Sequence, residues 1–373
     1  MPRARELGIA VGSLPPARLN AITDVAGVAV GHATIHEGEN VRTGVTVVLP
    51  HERSPWAEPV FAGVHRLNGN GELTGLEWIR ESGMLHSAVG LTNTHSVGVV
   101  RDALVAWEVE QRGGARGFWS LPVVGETWDG VLSDVNGMHV TAEHVRRALA
   151  SASAGRVPEG GVGGGTGMIC HGFKGGIGTA SRVAEEAGGA IVGVLVQANH
   201  GSRDQLRVVG YPVGAALPTT EVPAPAAVDA GTGSIIVVVA TDASLLPGQC
   251  ARLAQRAGLG VARAGGLGEN FSGDLFLAFA TGNRGLPPNE MRDDVPLTVG
   301  VRMLSNRWIT PLFQAVVEAT EEAILNALLA AETTTGCGVT AHGLAPEALL
   351  DALTGLGWRP NEDDPPSTRE SRR

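Results

Sequence analysis

Ser234 stands where a run of small residues becomes a β-branched one. Gly231, Thr232 and Gly233 precede it, and Ile235, Ile236, Val237, Val238 and Val239 follow. A serine there is either an ordinary turn former at the mouth of a buried strand or a nucleophile. A serine nucleophile needs a base. The strand–turn–helix elbow G-x-S-x-G does not supply the setting, because Ile236 occupies the place of the last glycine. A base becomes available without a second side chain if the Gly233–Ser234 bond is cut. The freed α-amine, with a pKa of about 7.7–8.0, then lies beside its own hydroxyl. Gly233 has no side chain to obstruct attack on its carbonyl. The proline-rich stretch 217–233 reads as an exposed, mobile linker that can move away after the cut.

Five other positions carry residue types suited to such chemistry. Ser272 and Asp274 are two apart at the start of an extended run, so they share a face. An aspartate there can hold an α-ammonium while the serine relays a hydrogen bond to Ser234; the alternative is a loop serine and a turn-capping aspartate. Asn199 ends a strand-like segment in "QANHG". It is either a turn residue or a side-chain N–H donor to an oxyanion. Glu126 and Trp128 alternate in "GETWD" and share a face if extended. A carboxylate beside an indole suits an ammonium group; a surface glutamate and a core tryptophan are the plain alternative.

Several functions are excluded. The glycine-dense stretch 160–182 lacks G-x-x-x-x-G-K-[ST] and a well-placed G-x-G-x-x-G. His139, Glu143 and His144 do not have the H-E-x-x-H spacing. His32, His65, His95, His139 and His171 have no ligand spacing to one another and read as structural. Cys170, Cys250 and Cys337 form neither a disulfide framework nor a zinc motif. No metal and no organic cofactor is implied. A formal net charge of -10 argues against nucleic acid, and no apolar run is long enough to span a bilayer. The N-terminus lacks the pattern of a secretory signal, so a cytoplasmic setting is expected.

The elements that must position these residues follow from patterning. Strands are predicted over 22–35, 43–50, 87–94, 189–199, 235–240 and 272–281. Helices are predicted over 100–114, 141–155 with Thr141 as cap, near 248–257, over 311–333 and near 345–354, with a loop entering a helix over 70–85. Residues 1–19 read as a loose arm and 358–373 as a disordered tail. Clustered strands with few, long helices favour a layered α/β or α+β domain. Hydrophobic residues make up 43% and charged residues 18% of 373, enough for one large core.

Eight segments in order give the chain a family. They are "NAITDVAGVAVGH" (20–32), "NGNGELTG" (68–75), "PVVGETWDG" (122–130), "VGGGTGMICHGFKGGIGTASR" (162–182), "VLVQANHG" (194–201), "GTGSIIVVVATDA" (231–243), "SGDLFLAF" (272–279) and "LFQAVVEATEEAILNAL" (312–328). The chain resembles the self-processing serine aminopeptidases that include L-aminopeptidase/D-amidase-esterase and the β-peptidyl aminopeptidases. The resemblance implies a single catalytic domain with a four-layer αββα sandwich. It implies autocleavage between Gly233 and Ser234 into chains 1–233 and 234–373. It assigns Ser234 as nucleophile, Ser272 and Asp274 as its partners, Asn199 as oxyanion donor and Glu126 as anchor of the substrate's free amine, with Trp128 beside it. Some relatives carry glutamate where this chain has Asp274. The expected substrates are short peptides, amides or esters with a free amine, and the expected assembly is a homo-tetramer of cut units. The rivals are an acyltransferase of the ornithine acetyltransferase type, whose members place threonine at the cut, and a non-enzymatic ligand-binding scaffold.

Overall fold

The computed structural model describes residues 1–114, 116–225, 233–288 and 295–360. In chain order the strands are β1 (Ala29–Glu37), β2 (Val41–Leu49), β3 (Val60–Gly69), β4 (Met84–Leu85), β5 (Val89–Asn93), β6 (Val123–Thr127), β7 (Ile169–Cys170), β8 (Phe173–Lys174), β9 (Gly176–Ala184), β10 (Ala190–Asn199), β11 (Ser234–Thr241), β12 (Gly273–Ala280), β13 (Thr334–Gly336) and β14 (Val339–Ala341). The helices are α1 (Leu76–Ser82), α2 (Val97–Gln111), α3 (Ala142–Ser151), α4 (Val213–Ala216), α5 (Pro247–Arg263), α6 (Thr310–Ala330) and α7 (Pro346–Gly355). Proline in the first turn of α5, α6 and α7 costs no intrahelical hydrogen bond.

Two sheets carry the architecture. One has four strands in the order β1-β2-β5-β6, the other six in the order β4-β3-β12-β11-β10-β9. The period-2 alternation of β11 shows how they stack. Ile235, Val237 and Val239 pack outward with Leu253 and Ala257 of α5 and Ala319 and Ala323 of α6. Ile236, Val238 and Ala240 pack inward with Leu91 and Val123 of the smaller sheet. Val100 and Leu104 of α2 and Val145 and Ala148 of α3 cover that sheet's other face. The layers therefore run helix, sheet, sheet, helix, the αββα sandwich expected. Within the larger sheet, β11 is central, antiparallel to β10 and parallel to β12.

The N-terminal residues are no loose arm. Ala4, Ile9 and Val11 are fully buried in the outer core. The Ala4 N–H donates to Asn326 Oδ1 at 3.0 Å, and Arg5 Nε lies 3.1 Å from Glu322 Oε2. Fully buried Arg182 of β9 pairs with Glu322 at 2.6 Å and with Glu318 at 3.3 Å. A sequence window cannot show this, because the α6 partners of Ala4 and Arg5 lie more than 300 residues away.

Other boundaries also move. The strand expected from residue 22 begins at Ala29, after a 3-10 turn over Ile22–Asp24. Strands β3 and β9 appear where none was predicted. Helix α5 runs to Arg263, beyond the expected end, and α6 stops at Ala330. The front of the supposed linker is packed: Arg203 donates to the carbonyls of Leu217 and Val222 at 3.0 and 2.9 Å. Its remainder, 226–232, lies outside the described residues, as does 361–373 of the expected tail. Trp358 at the start of that tail is buried in the outer core.

Candidate active site

Ser234 is the first residue of β11 and points, like Ile236 two residues on, into the space between the sheets. It is only 5% exposed. Its Oγ accepts a hydrogen bond from the Gly273 N–H at 3.0 Å. Gly233 before it has φ of 131°, a region that residues with a side chain rarely enter. A Cβ there would lie 2.2 Å from the Asn199 carbonyl oxygen. Only glycine fits immediately before the serine.

The strands on either side of β11 deliver the other candidates. Asn199 is the ladder partner of Ser234 across β10, and Asp274 is the partner of Ile235 across β12. Ser272 Oγ donates to Asp274 Oδ1 at 2.5 Å, so the two do share a face. Neither side chain hydrogen-bonds the Ser234 hydroxyl, which the N–H of Gly273 between them engages instead. Burial pushes the Asp274 carboxyl up to about 6, against the Ser272 hydroxyl and the Ile235 N–H, and Glu269 nearby adds to the rise. A cationic group beside it would pull the carboxyl back to its ionised form.

The Asn199 amide is held at both ends. Oδ1 accepts from the Ile169 N–H at 2.7 Å, and Nδ2 donates to the Trp128 carbonyl at 3.0 Å. The second Nδ2 hydrogen has no partner among the described residues, so it is free for a negatively charged oxygen.

Above Ser234 opens a cavity of about 600 Å³ lined by Asn70, Gly71, Glu72, Thr94, Glu126, Trp128, Gly233, Ser234 and Phe271. Glu126 comes from β6 of the opposite sheet and is 3% exposed. Its Oε1 accepts the Glu72 N–H at 2.9 Å, and its Oε2 accepts the Thr94 hydroxyl. Burial raises its pKa, opposed by those two hydrogen bonds and by His95 nearby, while the Glu72 carboxylate adds to the rise. Glu126 has no ion-pair partner among the described residues, and of basic groups only His95 acts on it from nearby, so this buried carboxylate can receive a further cation. Trp128 and Phe271, 44% and 62% exposed, supply apolar walls. Asn70, Glu72, Thr94 and Phe271 were not singled out from the sequence. The first two lie in "NGNGELTG", but only folding shows that this segment faces β6.

A profile for peptidase family S58 matches residues 20–341. The chain belongs to peptidase family S58. This S58 peptidase is 48% identical to the β-peptidyl aminopeptidase of Sphingosinicella microcystinivorans over 94% of its own length and 91% of the relative's. It superposes on a Burkholderia sp. β-aminopeptidase with a TM-score of 0.90 at 57% identity, covering 96% of this chain and 100% of the other. The L-aminopeptidase D-Ala-esterase/amidase of Ochrobactrum anthropi, described as a variant of the Ntn-hydrolase fold, gives a TM-score of 0.87 at 43% identity over 96% and 99%. The S58 peptidase is thus a self-processing, N-terminal-nucleophile serine hydrolase that releases residues from peptide N-termini. Among its described residues no helix is long and apolar enough to cross a membrane.

One group of metal-ligand types was missed in the sequence. Cys170, His171 and His200 bring one ligand atom each within 4.8 Å of one another, all buried. The thiol is pushed up to about 12 by burial, and His171 is pushed down to about 4. Cys170 Sγ lies 3.7 Å from His200 Nδ1, and His171 Nδ1 is already engaged 3.0 Å from the Ser202 carbonyl.

Proposed function

We propose that Ser234 is the nucleophile both of self-cleavage and of hydrolysis. Its Oγ attacks the Gly233 carbonyl carbon, the amide becomes an ester, and water releases chain 1–233 and an N-terminal serine on chain 234–373. The freed amine is the base. It takes the hydroxyl proton as Oγ attacks the substrate carbonyl and returns it to the leaving amine; water then resolves the acyl-enzyme. Asn199 Nδ2 steadies the oxyanion. Asp274, with Ser272 donating to it, balances the amine's charge. Glu126 binds the substrate's own ammonium, with Trp128 along its side.

The observation that carries this reading is the placement of two buried groups across one cavity. Ser234 forms one wall and Glu126, a buried acid with no ion-pair partner among the described residues, forms the other. The pair reads a free N-terminus and cuts next to it. The favoured substrates are short peptides, amides or esters with a free amine. The names of the β-peptidyl and β-aminopeptidase relatives support β-amino acids as accepted N-terminal residues.

We further propose a homo-tetramer of cut units working in the cytoplasm. Leu297, Val299, Val301 and Met303 alternate on exposed chain, which supports burial against a second copy. All three cysteines are free, which suits a reducing compartment. Ser234→Ala tests the central claim by intact mass. The parent should give fragments of 1–233 and 234–373, and the variant one uncut chain; efficient cleavage of the variant refutes it. Light scattering on the cut enzyme tests the tetramer.

A further inference from the structure

Lys174 is the one lysine in the 373-residue chain. It is fully buried. Its Nζ donates to three carbonyl oxygens: Gly175 at 2.7 Å, Met168 at 3.0 Å and Gly165 at 3.1 Å. An ammonium has three N–H donors, so this cradle satisfies all of them. Burial nonetheless pulls the amine down to about 7. A buried cation held only by carbonyls is costly to keep, and the chemistry assigned above makes no use of it.

What the lysine grips explains its presence. The Met168 carbonyl and the Ile169 N–H belong to one peptide plane. On one side of that plane, Lys174 Nζ and the Gly175 N–H, the latter at 2.8 Å, both donate to the Met168 oxygen. On the other side, the Ile169 N–H donates to Asn199 Oδ1 at 2.7 Å. Polarising an amide at its oxygen strengthens the donor at its nitrogen. The same contact decides which way the Asn199 amide faces. Oδ1 is tied to Ile169, so Nδ2 must project toward Trp128 and the Ser234 side.

We propose that Lys174 is a positioning residue for the oxyanion donor, acting on Asn199 through the Met168–Ile169 peptide. This rests on Asn199 being that donor. Loss of the lysine frees the peptide plane to tilt, and the amide of Asn199 to turn its oxygen toward the developing negative charge. Binding of the substrate ammonium at Glu126 is untouched, so the defect falls on kcat and spares KM.

The experiment is a double-mutant cycle of Lys174→Met and Asn199→Ala. For each variant kcat is normalised to the cut fraction read from intact mass, and the rate of self-cleavage is followed beside it. A variant too slow to mature therefore still yields a number. Asn199→Ala alone should lower kcat by about 10²–10³, the usual loss for one oxyanion donor. Lys174→Met alone should lower it roughly 10- to 100-fold with KM within about twofold, a part of that same loss. In the Asn199→Ala background the lysine change should cost nearly nothing. No loss in Asn199→Ala refutes the donor role itself. A full loss there, with an equal penalty from Lys174→Met in both backgrounds, keeps the donor and overturns the positioning role. So does an unchanged kcat in Lys174→Met. If Lys174→Met does not fold, Lys174→Gln, which retains two N–H donors, enters the same cycle. If neither folds, the lysine holds the fold and the proposal fails.

Discussion

Replacing Glu126 by glutamine removes a charge and little else. The side chain is buried and accepts from the Glu72 N–H and the Thr94 hydroxyl. A glutamine carbonyl retains one of these, and the threonine hydroxyl can rotate to accept from the new amide. The loss appears when substrate arrives. Its ammonium enters a cavity walled by Trp128 and Phe271 and meets a neutral amide. Breaking a fully buried ion pair costs about 3–5 kcal/mol, and a charge-assisted hydrogen bond contributes about 1.5–3 kcal/mol. The cavity is open to water, so about 2–4 kcal/mol is expected, a 30- to 1000-fold fall in kcat/KM. The assay is a pair of p-nitroanilides, one with a free amine and one N-acetylated, on parent and variant. The acetylated substrate should be poor with both and hardly altered by the change. Self-cleavage should persist, because the Gly233–Ser234 bond presents no free amine. Equal losses on both substrates refute the reasoning, since Glu126 would then support structure or the nucleophile.

Gly233→Ala should leave most of the chain uncut on intact-mass analysis, because its Cβ would fall 2.2 Å from the Asn199 oxygen at φ of 131°; normal processing counts against the strained junction. In the uncut Ser234→Ala chain, Asp274 at about 6 is raised above its unfolded value of 3.8. The native state then holds the extra proton, so the stability that Asp274 contributes is fully present below pH 4 and is lost, by about 3 kcal/mol, as pH rises through 6. Asp274→Asn in that background should therefore raise Tm at pH 7 and leave it unchanged at pH 4; a gain equal at both values contradicts the assignment. In the cut enzyme, kcat/KM should rise with pH through an apparent pKa no higher than about 8, burial favouring the neutral amine. Verified chemical blocking of that amine with full retention of activity rules it out as the base.

The sequence made the sheet core visible where burial on both faces writes itself locally. Five β-branched residues after Ser234 can be nothing but an interior strand, and β11 begins and ends close to where the pattern says. The pairing of Ser272 with Asp274 was legible for the same reason, since a spacing of two fixes a shared face. Strand β9 was not. Its "GIGTASRVA" has few bulky residues, because α6 presses directly on it: a Cβ on Gly178 would lie 1.9 Å from the Ala323 carbonyl. That close approach reads from sequence as a turn. Residues 1–11 show three charges and only a broken apolar stretch, and their buried partners on α6 come from the other end of the chain. The orientation of Asn199 depends on the Ile169 N–H, and the seat of Glu126 on Glu72 and Thr94. Those are contacts between elements, which no local pattern encodes.

The central position of β11 bears on how the mature enzyme lives and ends. A cut before Ser234 divides the larger sheet between two molecules: β3, β4, β9 and β10 remain with one, β11 and β12 with the other. The new terminus sits not at an edge, where a strand can peel away, but clasped between β10 and β12. The largely buried ionic knot of Arg5 and Arg182 with Glu318 and Glu322 is also shared between them. Folding is therefore a unimolecular event completed once, before the cut, while the return from the denatured state is a second-order search by two interleaved fragments. Mature enzyme should persist by the height of its unfolding barrier, and its recovery after denaturation should depend on concentration where that of the uncut Ser234→Ala chain does not.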